Sequence, residues 1–453
     1  MNDELPIIEE AADNALSQDF SAISLLRFAF PTIAMMIFTG LYTIVDTIFV
    51  SRFVNTNALS AINIVCPIIN ITVGLAAMLA TGGSAIIARK MGKGNIREAK
   101  ENFTLIVCAG IVTGLLISLA GLLFLEPVIR GLGASDLLYP YCRDYITILL
   151  MFAPANVMQC LYVNLFVTAG KPQLGLWLSV LAGLTNIVLD YVFIVPMQMG
   201  ISGAAIATSI GYMIPTIAGT CFFAKSKGSL SFVRPKFDIK VIGESCFNGA
   251  SEMVGQLSTA ITTFLFNITM MKLLGEDGVA AVTIIIYSQF LLITMYIGFS
   301  MGVAPVISYN YGSRNHVRLK RIFRICIGFI FLCSVLLFAV SIPGGQYISR
   351  IFAGQEANVF EITRYGFSIF SFSFLFCGFN IFASAMFTAL SNGKISAIIS
   401  FLRTFVFITA GLLVLPVFLN VTGIWLAVPL AELLALIVSA ALILRYRTHY
   451  QYL

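Results

Sequence analysis

The sequence predicts an all-α polytopic membrane protein: twelve transmembrane helices in two six-helix lobes related by a pseudo-twofold axis, with both termini cytoplasmic. Three observations predict this class. Hydrophobic residues make up 59% of the 453 positions and charged residues only 11%, where soluble chains carry about 25% charge, so a globule of this size would lack a polar exterior. Apolar runs recur that are long enough to cross a hydrocarbon layer about 30 Å thick. Finally, segments 220 residues apart share their glycine, proline and asparagine punctuation. The composition excludes a nucleic-acid binder, a secreted disulfide scaffold and a coiled coil, and the runs do not alternate as those of an outer-membrane barrel do.

Residues 1–19 form an acidic N-terminal segment in which Asp3, Glu4, Glu9, Glu10 and Asp13 occur without a basic residue before Gln18, the opposite of a secretory signal. Six apolar runs follow, near 28–50, 57–81, 103–125, 141–166, 173–195 and 201–223. After the basic linker 224–240, which contains Gly228 and Pro235, come six more, near 245–271, 279–304, 322–346, 364–390, 395–418 and 423–444. The divisions at Pro196 and Val421 are so short that only turn-forming residues separate the runs. The expected parts are therefore a first lobe at 20–223, the linker, a second lobe at 241–445 and a cytoplasmic tail at 446–453. The nine cysteines lie mostly within apolar runs without metal-site spacing, so neither disulfides nor a metal cofactor is expected.

With the N-terminus inside, twenty Lys and Arg residues fall on the inner segments and six on the outer ones, and Arg403 lies within a span. This is a strong positive-inside bias. Acidic residues weigh little in that rule, so the N-terminal segment does not oppose it. The repeat is plainest where GGSAIIARKMGKGN (Gly82 to Asn95) stands opposite GVAPVISYNYGSRN (Gly302 to Asn315). The same offset pairs Ala61 with Ala281, Pro196 with Pro416, Gly203 with Gly423 and Ala207 with Ala427. Six spans per half is an even number, so the halves enter the membrane from the same side, a parallel repeat typical of transporters with a central cleft.

Ionisable groups inside a membrane are functional candidates by default, and four carboxylates lie well inside the spans, away from their ends: Asp46, Asp190, Glu252 and Glu432. Asn186 precedes Asp190 by one helical turn, and Thr208 adds a hydroxyl in span six. Two acids, an amide and a hydroxyl suit either Na⁺, through hard oxygen ligands, or a proton shared by coupled acids. The bland alternative is a structural hydrogen bond for each acid and ordinary interhelical bonding for Asn186 and Thr208. Asn156, Gln159 and Asn164 in span four are candidates to line a substrate cavity, as is Asn380 in span ten, and Glu252, between Gly249 and Gly255, is a substrate or gating candidate. Arg403 either neutralises a carboxylate such as Glu432 or snorkels toward the interface. The 38 Phe and 16 Met residues suit lipophilic cations, although membrane helices also use both against lipid. GKGN at Gly92 is no phosphate loop, so energy must come from an ion gradient or from the substrate.

Several of these segments together resemble the MATE family of multidrug and toxin extrusion antiporters, in its DinF-like bacterial and archaeal branch. They are FPTIAMMIFTGLYTIVDTIFVSRF, the paired loops, TNIVLDYVFI, GISGAAIATS and GIWLAVPLAE. The resemblance covers residues 22–445 and implies secondary active export of amphipathic, mainly cationic drugs or toxins in exchange for Na⁺ or H⁺ by alternating access. It further implies a cation or proton site, and hence a Na⁺ position, at Asp46, Asn186, Asp190 and Thr208, with bending of span one at Pro31. Span ten carries no carboxylate, which moves the expected coupling site to the first lobe. The expected protein is thus a monomeric, multi-pass transporter of the cell inner membrane rather than an enzyme, with small organic substrates and lipid as partners. The alternative is a flippase for lipid-linked precursors, a cargo whose pyrophosphate calls for several inward-facing basic residues.

Overall fold

A computed structural model describes residues 15–353 and 357–453, so most of the acidic N-terminal segment lies outside the described residues. The first half holds α1 Ala22–Phe53, α2 Thr56–Gly92, α3 Ile96–Leu123, α4 Leu125–Gly131, α5 Tyr139–Met151, α6 Ala153–Thr168, α7 Pro172–Ile194 and α8 Gly200–Lys225. The second holds α9 Ile239–Asn248, α10 Ala250–Gly312, α11 His316–Ala353, α12 Ala357–Phe370, α13 Phe374–Ala389, α14 Gly393–Phe401 and α15 Ile408–Tyr450. No strand occurs among the described residues.

Two of these helices are each broken by one residue with non-helical backbone, Gly275 (φ 65°) in α10 and Asn420 (φ 50°) in α15, so each contains the junction between two crossings. α5 and α6 are bent by 54° and together are long and apolar enough for one crossing; the break falls at Phe152, two residues before Pro154, whose ring and missing N–H weaken the helix there. Counted this way, the described residues contain twelve apolar crossings by length and composition. Several helices overrun the predicted spans. α2 is 37 residues long because its helix continues through Ala88, Arg89 and Lys90 after the apolar run has ended.

The 220-residue repeat is written into the backbone as well as the sequence. Gly200 (φ 60°) and Asn420 (φ 50°) occupy equivalent turns, as do Gly94 (φ 79°) and Arg314 (φ 55°). Each half also closes with an aromatic latch. Leu230 is buried and Phe232 lies 5.3 Å from Phe103, ring to ring; their counterparts Tyr450 and Tyr452 are buried, with Tyr452 5.2 Å from Phe323. Residues 446–453 therefore do not hang free: α15 runs to Tyr450, and the Tyr452 hydroxyl donates to the Ile443 carbonyl at 2.7 Å. Truncating a buried aromatic costs about 3–5 kcal/mol. Tyr452→Ala protein is accordingly expected to melt at a clearly lower temperature in detergent, and an unchanged melting curve would show that the docked tail contributes nothing.

The halves meet most closely on the basic side. A Cβ on Gly82 of α2 would be driven into the Ser245 carbonyl of α9, and one on Gly249 into the Met78 carbonyl. Gly92 faces the Tyr309 carbonyl and Gly312 the Arg89 carbonyl in the same way. Positions 89 and 309 are themselves repeat equivalents, so this second contact straddles the pseudo-twofold axis. Before α1, Leu16 and Phe20 are buried, the Ser17 carbonyl accepts from Arg318 at 2.6 Å and Asp19 pairs with Arg321 at 2.7 Å. The leader of the first half is thus strapped onto the second.

Candidate functional site

α1 lies flush against α7 because position 183 is glycine: a Cβ there would stand 2.6 Å from the Phe38 ring and 2.9 Å from that of Tyr42. One turn beyond Tyr42, Asp46 is half-buried on α1; two turns beyond Gly183, Asp190 is fully buried on α7. Their carboxyls lie close together across the α1–α7 contact. α8 closes the third side, where a Cβ on Gly211 would stand 3.5 Å from the Ala182 carbonyl. There the Asn186 amide donates to the Thr208 hydroxyl at 3.3 Å. The four first-half residues singled out in the sequence are therefore brought together by three helices.

What distinguishes the cluster is its unused acceptor capacity. Oδ1 of Asp46, both carboxylate oxygens of Asp190 and Oδ1 of Asn186 are buried without a hydrogen-bond partner. Buried polar atoms in native proteins are nearly always satisfied, so four orphaned acceptors in one place point to a ligand that brings positive charge or a donor. No ion pair joins Asp46 or Asp190 to a Lys or Arg among the described residues. Oxygen-only coordination of a hard cation and proton sharing between paired acids are both chemically open to this set.

Three further tyrosines, Tyr42, Tyr145 and Tyr212, lie in the neighbourhood of the two acids. Tyr42 lies one turn before Asp46 and Tyr212 one turn after Thr208, so helical spacing could have found them. Tyr145 reaches the site from α5 and has no such signal.

The other candidates lie elsewhere. Glu252 is half-buried in the first turn of α10, directly after the break at Gly249, in the neighbourhood of Cys160 of α6 across the boundary between the halves. Asn156 and Gln159 are half-buried on α6, while the Asn164 amide is spent on its own helix, donating to the Cys160 carbonyl at 3.0 Å. Pro31 is buried inside α1, which runs through it as one helix, beside the crossing of α10 where a Cβ on Gly298 would lie 2.7 Å from the Thr32 carbonyl.

The MatE family model matches residues 31–192 and again residues 253–413. The chain belongs to the MATE family. The first match contains Asp46, Asn186 and Asp190, and the second contains Asn380 and Arg403. Among similar proteins are the multidrug export protein MepA of Staphylococcus aureus, 23% identical over 93% of both chains, and that of Staphylococcus saprophyticus, 22% identical over 88% of this chain and 87% of the relative. Solved structures agree in fold. A multidrug resistance MATE transporter in an outward-facing conformation matches with a TM-score of 0.90 at 22% identity over 98% of each chain. A Pyrococcus furiosus transporter of the MOP superfamily, described as having a binding pocket of reverse polarity, matches with 0.87 at 22% identity over 94% of this chain and 95% of that one.

In the second half of this MATE transporter, the Arg403 Nε donates to both carboxylate oxygens of Glu432 at 2.8 and 3.0 Å, which decides between the two readings of Arg403 in favour of neutralisation. Asn380 is fully buried and donates to Glu432 Oε2 at 2.8 Å, while its own Oδ1 accepts from Ser439 at 3.0 Å. The structure thus gives Asn380 protein partners on both sides of its amide.

Proposed function

We propose that this protein exports amphipathic, mainly cationic drugs or toxins in exchange for Na⁺ or H⁺, with Asp46, Asn186, Asp190 and Thr208 as the coupling site. The observation that carries this reading is the set of orphaned acceptor oxygens around two adjacent acids with no basic partner among the described residues. An inward-moving cation satisfies them; a cationic drug competes for the same field, and binding free energies of opposing cargoes are reciprocal. The export activity in the names of the staphylococcal relatives agrees with this cargo class. The working units are the lobes 20–223 and 241–445 joined by the linker 224–240, acting as a monomer. The flippase alternative is less well supported, because Arg403, the basic residue placed inside a span, is committed to Glu432 and offers little to a pyrophosphate.

The test is transport in proteoliposomes. Ethidium movement is expected to respond to an imposed Na⁺ gradient or an imposed pH gradient, each applied alone, and to saturate with substrate. Movement that ignores both gradients would remove the antiport reading, and preferential scrambling of a pyrophosphate-linked lipid would favour the flippase.

A further inference from the structure

The second half contains a membrane-embedded carboxylate that already carries a cation. Glu432 is 2% exposed on α15; Arg403, whose side chain is 15% exposed, reaches it from a π-helical stretch, Leu402–Phe407, that links α14 to α15. A π turn widens the helix and shifts the face on which later side chains emerge, and such turns concentrate at functional sites. Asn380 and Ser439 complete the cluster, so both Glu432 oxygens have partners. Among the described residues of the first half nothing of this kind is present: the Asp190 oxygens have no hydrogen-bond partner, and no ion pair reaches Asp46 or Asp190.

At the 220-residue offset, Arg403 falls on Gly183 and Glu432 on Tyr212. Both halves therefore place polar groups on their fifth and sixth crossings, but one cluster is left open and the other is closed by a guanidinium. We propose that Arg403 acts as a tethered cation that permanently occupies the second half's carboxylate. Only the first half then loads and unloads an ion during transport. Arg403 is in this sense a positioning residue for coupling: it restricts ion binding to one lobe without touching the ion. An isolated carboxylate in this environment is costly, so removing the guanidinium obliges Glu432 to recruit a replacement cation or proton.

The inference rests on the assignment of coupling to Asp46 and Asp190, and the test separates the two. Purified full-length protein carrying Asp46→Asn and Asp190→Asn is assayed for radiolabelled Na⁺ binding and for proton uptake on acidification. If this background still binds the coupling ion as the wild type does, the first-half assignment fails. With that assignment intact, adding Arg403→Gln is expected to create about one new Na⁺ or proton equivalent per chain, and adding Glu432→Gln to that is expected to abolish it. An Arg403→Gln protein that gains no cation of either kind overturns the proposal. Should Arg403→Gln not accumulate, the charge-free pair Arg403→Met with Glu432→Met is expected to export ethidium within about twofold of wild type at an unchanged ion-to-drug ratio. A folded double variant that is inactive, or whose ratio has changed, overturns it as well.

Discussion

Asp190→Asn protein, present in vesicles at the wild-type level, is expected to stop driving ethidium against either ion gradient. The substitution keeps size and hydrogen-bonding shape while removing the charge at the most deeply buried point of the first-half cluster. Without that charge, the ion and the drug no longer compete through a shared field. Coupling energies between two ligands are about 1–3 kcal/mol, equivalent to about 5- to 150-fold in affinity, so gradient-driven export should fall by about fivefold or more. Asp46→Asn is expected to act in the same direction, and the double substitution to be little worse than Asp190→Asn alone, because the two acids serve one site and losses within a unit are not additive. Substrate binding without a gradient should survive. Gradient-driven exchange at the wild-type rate in either variant would show that the orphaned oxygens have some other role.

Much of the architecture was legible because lipid imposes a simple rule on sequence: long apolar runs, basic residues on one side and turn formers between. The Asn186–Asp190 pair could be read directly, since four-residue spacing fixes a shared helix face wherever the helix ends up. The approach of Asp46 to Asp190 could not, because it depends on Gly183 letting α1 lie flat against α7, a tertiary contact between residues far apart in sequence. Tyr145 was missed for the same reason. Arg403 and Glu432 stand on consecutive crossings whose relative rotation includes a π turn, so no spacing rule could decide whether they meet. The docked tail is a different case. Its signal was present, since Tyr450 and Tyr452 stand 220 residues after Leu230 and Phe232, but a few terminal residues look like a tail until their repeat partners are seen to be buried. Asn380 shows the converse limit: a polar residue within a span marks an unusual environment, but its bond to Glu432 depends on a neighbouring crossing that no spacing within its own span reveals.

The glycine seam between the halves carries the other large effect. Gly82 and Gly249, and likewise Gly92 and Gly312, let two backbones approach so closely that each missing Cβ would overlap a carbonyl of the opposite half. Backbone cannot step aside as a flexible side chain can, so Gly82→Ala or Gly312→Ala must push the halves apart on the basic side. Overpacking costs about 1–3 kcal/mol, and the cost applies only while the cytoplasmic ends are together. The conformational balance should therefore move toward the inward-open state by about 5- to 150-fold. A cysteine at Ser245, which is fully buried when the seam is closed, reports the change. In a background free of other cysteines, its labelling by a membrane-impermeant maleimide from the cytoplasmic face is expected to accelerate in the alanine variants, while drug export falls because the outward-facing state is seldom reached. Gly131→Ala, which meets no neighbouring atom, should leave both readouts unchanged and separates seam-specific effects from general loss of stability. Unaltered labelling in Gly82→Ala and Gly312→Ala would mean that the seam is not what holds the cytoplasmic side shut, leaving the Asp19–Arg321 strap as the next contact to break.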